Sequence, residues 1–163
     1  MSVTYSEFGP HLMMDCRQCD LEKISDLSYV FNFLNDLPEK IGMTKIIQPY
    51  VFPYSGLVPE DRGITGMVVI AESHLSFHSF VEKDYFFFDM FSCKPFDVEV
   101  VRQMVMEAFG VGDAEVHYAS RGRYFPREEG TTAMTAGFTP MRMPAPHVAS
   151  QVAAARAADM VTV

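Results

Sequence analysis

Between Thr65 and Cys93 the chain gathers the side chains best able to do chemistry: Thr65, Glu72, Ser73, His74, His78, Glu82 and Cys93. A Ser between an acid and a His resembles a hydrolase nucleophile, but the surroundings differ. There is no G-x-S-x-G leading into a helix, so a Ser-His-Asp triad is not expected. The hydroxyl has another target, its own backbone. Ser73 can attack the Glu72 carbonyl and turn the amide into an ester. β-Elimination then splits the chain between residues 72 and 73, and the new N-terminus hydrolyses to a pyruvoyl group with loss of ammonia. This route needs a strained or polarised peptide bond. It also needs a hydroxyl or base within reach and an acceptor for the α-hydrogen. Ser73 is the candidate nucleophile, His78 the candidate base and Thr65 a candidate assisting hydroxyl. His74 is assigned no role.

A pyruvoyl ketone can form a Schiff base with a substrate amine, and the adjacent amide carbonyl then accepts electrons as carbon dioxide leaves. Pyridoxal phosphate plays that part in other enzymes. The resulting carbanion equivalent must be protonated. Cys93 is the candidate donor, since a thiol, with an ordinary pKa of about 8.5, is a workable acid at neutral pH. Taken singly, Ser73 or Cys93 is more readily a structural strand residue; the combined spacing carries the reading. Glu82 serves equally well as a turn carboxylate or a substrate contact. Cys16 and Cys19 form a C-x-x-C, but zinc wants four ligands and no second pair follows. No metal site is expected.

These residues need a scaffold. Residues 7–16 read as a strand, and Ile24, Leu27, Val30, Phe31, Leu34 and Leu37 recur at helical spacing over 24–37. Ser25 or Asp26 is the expected cap, and Pro38 is expected to break or restart the helix before Gly42. Lys45 to Phe52 reads as a strand ended by Pro53, and 54–63 as a loop. Three strands are then expected in a meander, over 64–73, 74–82 and 85–93. Asp97 and Gly110 bracket a second helix, and Ala114 to Ser120 reads as a last strand. The expected fold is an α+β two-layer sandwich, an antiparallel sheet packed by two main helices. It occupies 1–126, followed by a flexible or partly helical tail over 127–163.

The bulk numbers agree. One core suits 163 residues at 48% hydrophobic content. A net charge of −8 disfavours nucleic acid, which attracts Lys and Arg, and suits a cationic ligand. No signal peptide or membrane-length apolar run is visible, so a cytoplasmic protein is expected, one whose three cysteines stay reduced.

The segment 63–93, GITGMVVIAESHLSFHSFVEKDYFFFDMFSC, resembles the bacterial and archaeal S-adenosylmethionine decarboxylases. PHLMMDCRQCD near the start and RGRYFP near the end extend the likeness over about residues 8–126. The resemblance implies that Ser73 is the pyruvoyl precursor and that Glu72 becomes a new C-terminus. It implies that His78 and Thr65 act in processing and that Cys93 is the catalytic proton donor. It further implies a homodimer with active sites at or near the interface, working in polyamine and spermidine biosynthesis. Two departures stand out. Phe52-Pro53-Tyr54 is followed by SGLVPEDR where the family runs directly into G-x-[ST]-G, and Phe80-Val81 replaces a Trp-Pro.

Both departures lie where substrate choice would be set. S-adenosylmethionine carries a sulfonium and an adenine, which want aromatic faces; Phe52, Tyr54 and Phe80 are candidates. Arginine or ornithine wants a distal carboxylate, and Glu60 and Asp61 are candidates. A non-catalytic regulatory relative is the reading from another class.

Overall fold

The computed structural model describes residues 4–5 and 8–127 of the chain. Its elements, in order, are β1 (Thr4–Tyr5), β2 (Gly9–Arg17), α1 (Leu21–Ser25), α2 (Leu27–Lys40), β3 (Tyr50–Tyr54), β4 (Gly63–Ile70), β5 (Ser73–Phe80), β6 (Tyr85–Ser92), α3 (Val98–Phe109), β7 (Asp113–Arg121) and β8 (Pro126–Arg127). Six strands form an antiparallel sheet in the order β3-β4-β5-β6-β2-β7, and β1 pairs with β8. The fold is the expected α+β sandwich. The flexible or partly helical tail expected over 127–163 lies, beyond Arg127, outside the described residues.

Helix starts follow their caps. Asp20, Asp26 and Asp97 each accept backbone N–H bonds from the first turn of α1, α2 and α3. Gly110 ends α3 at φ 60°, a left-handed position that glycine adopts freely. The helix expected over 24–37 is two helices, because Asp26 caps a new one. Pro38 does not break α2; it lies inside the helix near its C-terminal end, where the missing N–H costs one main-chain hydrogen bond. The strand expected over 45–52 starts later and runs through Pro53. That is tolerated because β3 is a sheet edge. Ser73 begins β5 rather than ending β4, and Glu82 lies in a 3-10 turn at Val81–Lys83.

Strand alternation sorts the residues into two faces. Leu12, Met14, Val68, Leu75, Phe77, Phe86, Phe88 and Met90 are buried towards the helices with Leu34, Leu37, Val105 and Phe109. The Phe109 ring centroid lies 5.0 Å from those of Phe77 and Phe86. Among the described residues, no helix lies over the other face. That face carries Thr65, Met67, His74, His78 and Phe87, among others.

Buried Ser79 ties the layers together. Its hydroxyl donates to Ile24 O at 2.8 Å and accepts from Ile64 N at 2.9 Å. Ser79→Ala removes both bonds from a buried place and should cost about 1–3 kcal/mol. Thermal unfolding should show the lower midpoint, with chain cleavage unaffected.

Candidate active site

β4 and β5 are joined by only two residues, Ala71 and Glu72. Two-residue hairpins favour turns with positive φ, whose twist matches the strands. Ala71 and Glu72 supply none: the non-glycine residues of positive φ among those described are Gln18, Ser73 and Asp84. The mismatch falls on the next residue. Ser73 has φ 152°, a conformation essentially reserved for glycine. The strained residue is the one whose hydroxyl was expected to attack its own backbone.

The turn is held from both sides. Thr44 O accepts from Ala71 N at 2.8 Å, and Thr44 N donates to Glu72 Oε2 at 3.0 Å. On the other side, the Cys93 N–H donates to the Glu72 carbonyl oxygen at 2.8 Å. That carbonyl belongs to the peptide bond in question, so the donor is aimed where negative charge would develop on attack. Cys93 is itself fixed by its neighbours. Ser92 Oγ accepts from Lys94 N at 3.0 Å and donates to Lys94 O at 2.7 Å, closing the bend around Cys93.

Ser73 Oγ lies 3.0 Å from Nδ1 of His74. His74 stands on the open face, packed edge-on against Phe91 at 6.0 Å. Partial burial, then the nearby His11 and Arg121, push its pKa below 6.5, against an opposing pull from Asp89. It is therefore neutral at neutral pH and can accept a proton. Sequence reasoning left His74 without a role. Its adjacency to Ser73 was visible, but the 3.0 Å approach of the two side chains was not.

His78 and Thr65 are cross-strand partners, with Thr65 Oγ1 3.0 Å from His78 Nδ1. Within one chain the structure does not bring them to Ser73. Five residue steps of extended strand separate His78 from Ser73, roughly 16 Å. Phe52 pairs with Thr65, Tyr54 pairs with Gly63, and Phe80 packs on Phe87 at 5.9 Å, all at the Thr65–His78 end. Glu60 is exposed, while Asp61 pairs with Lys83 and Glu82 with Arg62. Burial pushes both Cys16 and Cys19 up to about 12, and Cys16 is wholly inside the core. Neither is poised to become the thiolate that a metal or redox role requires.

A family model described as S-adenosylmethionine decarboxylase matches residues 10–122, more than half of the chain. The chain belongs to the S-adenosylmethionine decarboxylase family. An S-adenosylmethionine decarboxylase proenzyme of Thermodesulfovibrio yellowstonii is 33% identical over 122 residues, covering 74% of this chain and 86% of that one. A proenzyme of the same description from Symbiobacterium thermophilum is 30% identical over 91 residues, covering 56% of this chain and 64% of that protein. The crystal structure of the adenosylmethionine decarboxylase of Aquifex aeolicus superposes with a TM-score of 0.63 at 21% identity. It covers 78% of this chain and 98% of that one, and it supports the fold. Membership of the S-adenosylmethionine decarboxylase family agrees with the pyruvoyl-dependent, self-processing decarboxylase expected from the sequence.

If Ser73 is strained, glycine should relieve it. Neither Ser73→Gly nor Ser73→Ala has a hydroxyl, so both chains should stay intact. The glycine variant should be the more stable by roughly 1 kcal/mol in denaturant unfolding. Equal stability, or a more stable alanine variant, would contradict strain at this residue.

Proposed function

We propose that this member of the family is a proenzyme that cuts its own Glu72–Ser73 bond. The product then decarboxylates S-adenosylmethionine to the aminopropyl donor of polyamine and spermidine synthesis. The observation that carries the proposal is the φ of 152° at Ser73, beside a carbonyl already held by the Cys93 N–H. The site fits a pyruvoyl group for a related reason. Converting Ser73 removes its tetrahedral Cα and its φ torsion, and the strain goes with them.

When present, that group supplies a ketone to capture the substrate amine and an adjacent carbonyl to accept electrons as carbon dioxide departs. The chain's own residues do the rest. The Cys93 N–H, 2.8 Å from the Glu72 oxygen, stabilises the oxyanion of the attack. Cys93 Sγ then donates a proton to the carbon that has lost the carboxylate. His78, oriented by Thr65, takes the Ser73 α-hydrogen during elimination.

The last step needs a second copy, because His78 lies roughly 16 Å away along its own strand. The open sheet face exposes Tyr50, Tyr54, Met67 and Phe87, an aromatic surface suited to meeting its own image. In a two-fold contact, the Thr65–His78 end of one copy can lie over the Ser73–Cys93 end of the other. This supports a homodimer with two shared sites. The same contact would carry Phe52, Tyr54 and Phe80 towards the partner's Ser73, where a sulfonium or adenine would meet them.

A distal guanidinium or ammonium finds less. Asp61 and Glu82 already hold Lys83 and Arg62, which favours S-adenosylmethionine over arginine or ornithine. Ser73, His78 and Cys93 are all present in the sequence, which favours an enzyme over an inert regulatory relative. The free thiols Cys16, Cys19 and Cys93 suit the cytoplasm.

Three measurements test this. Ser73→Ala should leave one full-length inactive chain, and Cys93→Ala should still be cut but turn over about a hundredfold more slowly or worse. Carbon dioxide should be released from S-adenosylmethionine and not from arginine or ornithine. Finally, Ser73→Ala and His78→Ala chains, each uncut alone, should yield cut His78→Ala chain when co-expressed. Failure of the mixture to cleave would contradict shared sites.

A further inference from the structure

The open face around Ser73 holds a compact set of groups from four strands. His74 lies on β5, with Phe91 and His11 directly beside it in register on β6 and β2. Asp89 stands two residues along β6, with Oδ1 3.4 Å from His11 Nε2. Arg121 of β7 lies over the Phe91 ring, its guanidinium carbon 4.1 Å from the centroid. Only one of these side chains touches the reacting hydroxyl, His74 through Nδ1 at 3.0 Å.

We propose that His74 is a catalytic residue of self-cleavage, the base for Ser73 and then the acid for its nitrogen. This rests on the self-cleavage reading above and divides it into two proton transfers on two histidines. With the ring hydrogen on Nε2, Nδ1 offers its lone pair to the Ser73 hydroxyl. Nδ1 takes that proton as Oγ bonds to the Glu72 carbonyl carbon. The oxyanion sits on the Cys93 N–H, 2.8 Å from the Glu72 oxygen. On collapse the C–N bond breaks, and His74 returns the proton to the Ser73 nitrogen. The result is an ester and a free amine, with no net gain or loss of protons. His78, on the far end of the face, acts only afterwards, on the α-hydrogen.

Two features fit this assignment. Every group of this set is already in one protomer, so the acyl shift needs no partner, whereas the elimination does. The environment also keeps His74 able to accept a proton, since burial, His11 and Arg121 outweigh Asp89 in setting its charge.

Neutral hydroxylamine cuts esters and leaves amides, so it reads the acyl shift separately from elimination. Chains carrying His78→Ala should accumulate the ester and be cut by hydroxylamine between 72 and 73. Adding His74→Ala should slow formation of that ester about a hundredfold or more. His74→Gln, similar in size but unable to carry the proton, should do the same and guards against a folding defect in the alanine variant. In the His78→Ala chain, ester formation should stay level through neutrality and fall only below pH 6.5, as His74 protonates. A His74 variant forming ester at the parental rate, or a rate indifferent to acid, overturns the proposal while leaving self-cleavage intact. A wild-type chain that never splits at this bond overturns the self-cleavage reading and this proposal together.

Discussion

The geometry of the site descends from one constraint, a hairpin closed by two residues that both keep negative φ. A strand pair twists to the right, and the turns that match that twist need positive φ. Ala71 and Glu72 do not provide it, so Ser73 takes φ 152°. Alternation along β5 would send Ser73 towards the helices with Leu75 and Phe77. Its hydroxyl instead lies 3.0 Å from His74 Nδ1 on the open face. Strain, nucleophile and acceptor are thus one local consequence of loop length.

The rest of the fold keeps that turn from relaxing. Thr44 holds its outer edge through two hydrogen bonds, and Cys93 holds the Glu72 carbonyl from β6. Behind them, Phe77, Phe86 and Phe88 of the two central strands pack on α2 and α3. A core of this kind stabilises the sheet enough to carry a locally unfavourable residue. Among the described residues no helix covers the opposite face, and Tyr50, Tyr54 and Phe87 stand exposed on it.

Much of this is legible in the sequence. The Asp97 and Gly110 caps of α3 acted as physical switches and marked its ends. The meander from Gly63 to Ser92 followed from alternation, and its register makes Thr65 and His78 neighbours. Prolines misled, because their effect depends on place: Pro38 falls in a final turn and Pro53 on an edge strand. The role of Cys93 was read from its thiol, while its backbone N–H on Glu72 is invisible to side-chain reasoning. The wide gap between His78 and Ser73 follows from strand rise alone. His74 was left without a role because its type and place suit a core or surface histidine equally, and its 3.0 Å approach to Ser73 Oγ is visible only in the structure.

The central claim is that strain at Ser73 is discharged by turning this residue into a keto-acyl end. Intact mass of the purified protein tests it most directly. The account predicts two pieces, the second beginning at residue 73 and lighter by one ammonia than a fragment with an ordinary serine N-terminus. A single unbroken chain in an active preparation, or a second piece with a free serine amine, would contradict it.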